Sequence, residues 1–286
     1  MKLVNLSLRD GDYFATVDGG PEFFVGKRVT FQGMKGLVNT RGVAADRYDR
    51  ALFNTGADGL WADFIFPTSV AEGGLFHTLN TYDRARFTFG FLQYAAHVPN
   101  GDFVRYFRDL LKLPAATDYF PDLIVQNDRI FRIKDNVLVQ IENDSSTAGL
   151  MDFLNPSSAE VEDTEVIQSA KVIHWVKNDP AHRKLQVDFG KTFFREAMVL
   201  YDRTYNLNGV RIDACLVVAD IRHQGRGGNS EIRLALQNSN PVGALLTIGA
   251  SRFPERVKTV KRELNRLMQK PEFASKTYSS ATKEFV

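Results

Sequence analysis

An α+β fold that is mainly α is the expectation, and three features of the chain support it. Residues 1–45 are crowded with Val, Phe and Thr in short runs separated by Asp-Gly and Gly-Gly-Pro, which reads as β-strands and turns. From residue 46 onward apolar residues recur at spacings of three and four, the period of helices with one buried face. Residues 75–92 interrupt that pattern with an aromatic and β-branched stretch, which reads as a hairpin or small sheet. A boundary is expected after residue 45, with a short N-terminal β module before it and a helical domain over 46–286.

The elements follow in order. LVNLSL, YFATV and FFVGKRVTFQG are the N-terminal strands. ADRYDRALFN opens the helical region. LWADFIFPTSVAEGG is an apolar helix that stops at Gly73-Gly74, with Pro67 expected to interrupt it or to start a new helix at Thr68. GDFVRYFRDLLKLP is a helix closed by Pro114. LIVQNDRIFRIKDNVLVQIE reads as short strands joined at Asn-Asp and Asp-Asn turns. SSTAGLMDFLNP is a short helix, and helices follow over 163–178, 185–205 and 211–223. The helix over 211–223 is apolar all round, so it is expected at the centre, ended by Gly225, Gly227 and Gly228. A last long helix carries Phe253, Val257, Val260, Leu264 and Leu267, and the polar tail after Pro271 is expected to be loosely held.

Composition narrows the function. The chain is 44% hydrophobic and 24% charged, an ordinary globular balance, and 286 residues can bury its 22 Phe. A net charge of +2 leaves no basic excess for nucleic acid. No apolar stretch reaches the length of a transmembrane helix, and the N-terminus lacks the apolar stretch of a secretory signal. The protein is therefore expected to be made in the cytoplasm and, for a substrate outside it, delivered to the cell wall or periplasm by another system, with the N-terminal β module as a point of attachment. The lone Cys215 sits in ACLVVA and reads as a small buried hydrophobe. His77, His97, His174, His182 and His223 lack metal-binding spacing, and GRGGN lacks the Lys of a phosphate loop, so no metal and no cofactor is expected.

The stretch AEGGLFHTLNTYDRARFTFGFLQ, residues 71–93, departs from core patterning. Glu72 ends an apolar helix, and Asp83 enters the hairpin eleven residues later. Glycoside hydrolysis uses two carboxylates in unlike settings. One stays protonated, which an apolar surround of Val70, Ala71, Leu75 and Phe76 would favour. The other stays ionised, which Arg84 or Arg86 beside it would favour. Spacing alone favours a helix-end surface Glu and a turn Asp, because 34 acidic residues supply many such pairs.

Glu72 followed by Asp83, Phe87, Thr88, Gly90 and Phe91 resembles the active-site hairpin of family 46 chitosanases. The resemblance implies that Glu72 is the general acid, Asp83 the base and Thr88 the holder of the attacking water. Gly90, Phe91 and Gln93 are similar to the end of the active-site sheet in the broader lysozyme-like superfamily, which includes phage and bacterial muramidases. The helix ending VVADIRHQG, residues 217–225, is similar to the late central helix of those enzymes. The implied fold is a lysozyme-like helical domain with a small active-site sheet. Three departures stand out: the Glu-to-Asp spacing is short, Arg86 occupies a position where those chitosanases usually carry Gly, and the residue order in DIRHQG, 220–225, is altered.

Tyr82, Asn80, Arg86, Gln93, His223 and Gln224 are the candidate substrate-binding residues. Phe87, Phe89 and Phe91 share hairpin parity and are expected in the core, as is Trp175. The expected substrate is a β-1,4-linked amino-sugar polymer, peptidoglycan ahead of chitosan, because Arg84, Arg86 and Arg105 lie near the motif where a polycation would need carboxylates. Hydrolysis is preferred to transglycosylation because the latter can proceed with a single Glu. The competing expectation is a non-catalytic cell-wall-binding or structural component of a phage or secretion apparatus.

Overall fold

The computed structural model describes residues 1–56 and 58–286. The fold is α+β, with eleven α-helices and antiparallel sheets among the described residues. Two compact units divide the chain, one of residues 1–47 with 73–186, the other of residues 48–72 with 187–286. The expected 46–286 domain is thus shared between both units.

In the first unit seven strands form one sheet in chain order: β1 Val4–Arg9, β2 Asp12–Val17, β3 Phe23–Phe31, β4 Met34–Asn39, β5 Leu79–Asn80, β6 Thr88–Phe89 and β7 Tyr94–Ala95. The N-terminal strands and the expected small sheet are therefore continuous, because β4 pairs with β5 through Val38↔Asn80 and Asn39↔Leu79. Gly36 permits this junction, since a Cβ there would stand 2.6 Å from the Thr81 backbone carbon. Helix α2 (Asp102–Leu110) packs by β7, a four-residue helix α3 (Ala116–Tyr119) follows, and α4 (Ala148–Leu154) and α5 (Asp163–Asn178) close the unit. Helix α5 lies on β1–β3. The Asn-Asp and Asp-Asn turns hold as expected: Asn127, Asp128, Asp135 and Asn136 all take φ between 50° and 60°. Consecutive left-handed residues of this kind match the twist of tight hairpins. They join β8 (Leu123–Gln126), β9 (Arg129–Lys134) and β10 (Val137–Gln140). Phe87, Phe89, Phe91 and Trp175 are fully buried, and Trp175 stacks on Tyr119 at 4.8 Å.

Helix α6, Pro180–Tyr205, passes from the first unit into the second at residue 187. The second unit is helical: α1 (Gly59–Ala71), α7 (Ile212–Gln224), α8 (Asn229–Leu236), α9 (Pro241–Thr247), α10 (Pro254–Leu267) and α11 (Pro271–Ala274). Every residue from Ile212 to Ile221 is buried, so α7 has the expected central place, and the Cys215 within it is buried, with its thiol pKa raised by burial. Gly225 ends α7 at φ 70°.

Three expectations need correction, and helices are found over one stretch, 229–247, to which the sequence reading assigned no element. Residues 46–54 hold only 3-10 turns, Ala44–Asp46 and Arg50–Leu52, the second capped by the Asp49 carboxylate, which accepts from Ala51 N. Pro67 lies inside α1 without ending it. Residues 229–247 form α8 and α9, whose start at Asn240-Pro241 is a legible cap because the Asn240 side chain accepts from Gly243 N. The C-terminal tail is held: Phe273, Tyr278 and Phe285 are buried, β11 (Tyr278–Ser279) pairs with β12 (Glu284–Phe285), and Trp61 Nε1 donates to Glu284 at 2.8 Å. Its polar composition masked three well-placed aromatic anchors.

Candidate active site

Glu72 caps the C-terminus of α1, its backbone N–H bonding to Thr68 and Ser69 carbonyls. The chain must then turn through Gly73 (φ 99°) and Gly74 (φ 67°), conformations that suit glycine. The Glu72 side chain is 17% exposed. Arg256 of α10 donates from Nη1 to Glu72 Oε1 at 2.6 Å and to Gln224 Oε1 at 2.8 Å. The same guanidinium donates from Nε and Nη2 to Asp220 Oδ1, at 3.2 and 2.8 Å. Asp220 Oδ2 accepts from Arg226 Nε and Nη2 at 3.3 and 3.2 Å, and Thr68 Oγ1 donates to Asp220 Oδ1 at 3.2 Å. His223 Nε2 lies 3.6 Å from Glu72 Oε1.

The result is an ordered chain of charges: Glu72, Arg256, Asp220, Arg226. Two anions and two cations cancel, which is the condition under which buried charges are tolerated. Burial works to lower the Arg256 pKa, but Glu72 and Asp220 outweigh it and hold the guanidinium firmly charged. Burial dominates at Arg226 and lowers its pKa despite Asp220. The apolar surround expected for Glu72 is replaced by Arg256, which lies 184 residues away in sequence. His223 and Gln224, expected near the site, join this group. A separate cavity of about 490 Å³ in the same unit, lined by residues including Val210, Asp213, Leu236 and Pro241, does not include Glu72.

In the first unit Asp83 sits in the loop between β5 and β6. Its Oδ2 accepts from Asn80 Nδ2 at 2.9 Å and its Oδ1 from Ala85 N at 2.8 Å. Asn80 Oδ1 in turn accepts from Tyr82 N at 3.1 Å. Thr88 pairs in register with Asn80, so both side chains rise from one face of the hairpin. Asn80, Asp83 and Thr88 are therefore brought together. Arg86 is not available beside Asp83: Nη1 pairs with Asp152 at 2.9 Å and Nη2 donates to the Asn155 carbonyl. Arg84 is exposed. Strand alternation does not extend over residues 81–87, which are loop, with Arg86 at φ 55°. The Tyr82 ring is half-buried and meets Phe31 edge-on at 6.1 Å. Gln93 Nε2 donates to the Gly90 and Thr78 carbonyls, which makes it a brace of the β6–β7 turn. Gly90 itself is required there, because a Cβ would stand 2.8 Å from Gln186 Oε1 at a φ of 91°.

Sequence reasoning missed Asp220, Arg226 and Arg256. Asp220 did carry a signal: a carboxylate inside ACLVVADI demands a buried cation. Arg256, in FPERVK, carried none. Compared with protein-family models, with curated proteins and with solved structures, the chain matches none.

Proposed function

We propose that the chain is a glycoside hydrolase of lysozyme-like fold that cleaves β-1,4 bonds of an amino-sugar polymer, peptidoglycan ahead of chitosan. The observation that carries the reading is the part-exposed Glu72 carboxylate at the end of α1, held in one position by Arg256. A general acid must hold one position both before and after it gives up its proton. Arg256 grips Oε1, which can accept whether the group is ionised or protonated, and Oε2 is then the oxygen that carries the proton to the leaving oxygen. Arg256 shares its charge with Asp220, and Arg226 completes the neutralisation. His223 lies beside the same carboxylate and Gln224 accepts from the same guanidinium, and both would orient the sugar there.

In this reading Asp83 is the base, steadied by Asn80, and Thr88 holds the attacking water on the same hairpin face, so the anomeric centre inverts. Tyr82 offers a ring to a sugar face. Arg86 and Gln93 act by bracing the hairpin rather than by touching substrate. Delivery to the wall would come from another system docked on the N-terminal strands. The non-catalytic alternative treats the same charge chain as structural only.

The test is turbidity loss of purified peptidoglycan with wild type and Glu72→Gln, with chitosan as the second substrate. Clearing by wild type alone is expected; equal clearing by both proteins, or none by either on both polymers, sinks the catalytic reading. Proton NMR of the first product, before mutarotation, should show the α-anomer. A β-anomer would make Asp83 a nucleophile, and an anhydro product would mean transglycosylation through Glu72 alone.

A further inference from the structure

The loop that carries Asp83 is closed by residues that lie far from it in sequence. Asn155, fully buried just after α4, donates from Nδ2 to the Thr81 carbonyl at 3.1 Å and to the Arg86 carbonyl at 2.9 Å. Its two amide protons thus bridge the two ends of the loop. Its own carbonyl accepts from Arg86 Nη2, so Asn155 and Arg86 grip one another through both side chain and backbone. Asp152, one turn earlier, pairs with the other arm of that guanidinium at 2.9 Å. At the base of the loop, Thr81 Oγ1 accepts from Leu37 N at 2.6 Å and donates to the buried Glu165 carboxylate of α5. Inside the loop, Arg86 N donates to the Asp83 carbonyl at 2.9 Å.

We infer that Asn155 is a positioning residue for Asp83, and that it works as a clasp with Arg86. The inference rests on the proposed role of Asp83. Two donors on one planar amide fix the separation of the Thr81 and Arg86 carbonyls, and that separation sets where a loop of six residues can hold its carboxylate. Arg86 then has a reason for its strained backbone. A non-glycine residue at φ 55° costs free energy. The guanidinium contacts to Asp152 and the Asn155 carbonyl offset it. Glycine would fit the backbone but would lose half of the clasp. Misplacing a catalytic group by about 1 Å can cost on the order of 100-fold in rate.

The experiment compares wild type, Asn155→Ala, Asn155→Asp and Arg86→Gly. Amide hydrogen exchange is read at residues 82–86 against β1–β4 as an internal reference, and turnover is read on solubilised peptidoglycan strands. Asn155→Ala should raise exchange at Ala85 and Arg86 at least tenfold with β1–β4 unchanged. Its kcat should fall on the order of 10- to 100-fold while KM stays within about twofold. Asn155→Asp should do more, because it sets a carboxylate against two carbonyls. Arg86→Gly, which keeps the backbone unstrained and the amide bridge intact, should show a smaller rise in exchange at the same residues. Wild-type exchange at 82–86 in both Asn155→Ala and Arg86→Gly overturns the clasp, as does a loss confined to KM. Should Asn155→Ala not fold, Arg86→Gly alone decides, and unchanged exchange there is the overturning result. The exchange arm needs no substrate, so a wild type that turns over no glycan would sink the glycosidase reading while the clasp is still judged.

Discussion

Around Glu72 the partners are formal charges, supplied by α7, the loop that follows it and α10, far along the chain: Arg256, with Asp220 and Arg226 behind it. Around Asp83 they are neutral donors from its own hairpin, the Asn80 amide and the Ala85 N–H. A charge partner acts over distance and is strong where water is excluded, but it must itself be neutralised; hence a chain of four ions. An amide partner is weaker and needs no counter-charge, so it suits a carboxylate on a half-exposed loop. The two settings differ accordingly: one carboxylate is gripped at a single oxygen by a cation, the other is held at both oxygens by neutral donors.

The first and largest expected break in this comparison is Glu72→Gln. Turnover should fall about 10²–10⁴-fold, the usual contribution of general acid catalysis, while the chain still folds at a lowered melting temperature, because Arg256 is left with one carboxylate fewer. Gln keeps an oxygen for Arg256 and has no proton to give. A Gln variant with full activity removes Glu72 from the mechanism.

Next comes Arg256→Met, which leaves the buried Asp220 with one cation and Glu72 without its anchor. Stability should drop by about 3–5 kcal/mol, the cost of stranding a buried charge, measured by urea unfolding with the slope unchanged. A loss below about 1 kcal/mol would mean that the charge chain is screened by solvent.

The same contrast accounts for what was legible in the sequence. Local chemistry was readable: the Asn-Asp and Asp-Asn turns, the glycine stop after α7, the buried Phe87, Phe89 and Phe91, and Glu72 at a helix end all follow from neighbouring residues. Non-local chemistry was not. Nothing near Glu72 announces Arg256, and nothing near Asp83 announces Asn155 or Glu165, because those partners are chosen by packing and not by spacing. The pairing of β4 with β5 was hidden for the same reason, with residues 40–78 between its strands. Polarity misled at the C-terminus, where three aromatic residues outweigh a polar average.

Glu165 offers a pH-dependent test of the loop side. Burial is the largest influence on its carboxyl and pushes the pKa up to about 7, although the Thr81 hydroxyl and backbone N–H groups act to lower it. A carboxyl raised from 4.5 binds its proton more tightly in the folded chain. Its contribution to stability is therefore fully present below pH 4.5 and is lost as pH rises through about 7. The gap corresponds to roughly 3 kcal/mol. His77, His174 and His182, whose pKa values are lowered by burial, act with the opposite sign, so the quantity to measure is the difference between wild type and Glu165→Gln across pH 4–8. The Gln variant should gain on wild type as pH rises. A constant difference would show that folding leaves the Glu165 pKa unshifted.

Thr88→Val should lower kcat about tenfold and leave KM nearly unchanged, since a hydroxyl that orients water acts on the way to the transition state. Val fills the same buried space on β6, so the fold should persist. A change in KM alone would reassign Thr88 to packing or to substrate contact.

The smallest expected effect belongs to Asn80→Ala, and it sharpens the comparison most directly. The substitution removes one of the two described donors to Asp83 and also the acceptor for Tyr82 N. Asp83 is half-exposed, so water can replace the lost amide on Oδ2, and the cost in stability should be about 1 kcal/mol. It should also be insensitive to salt, because no ion pair is broken. Arg256→Met, by contrast, should lose part of its penalty in 1 M salt if solvent reaches Glu72. Equal penalties for the two variants, or a salt-dependent penalty for Asn80→Ala, would mean that Asp83 is held by charge after all, and Arg84 would be the cation to substitute next.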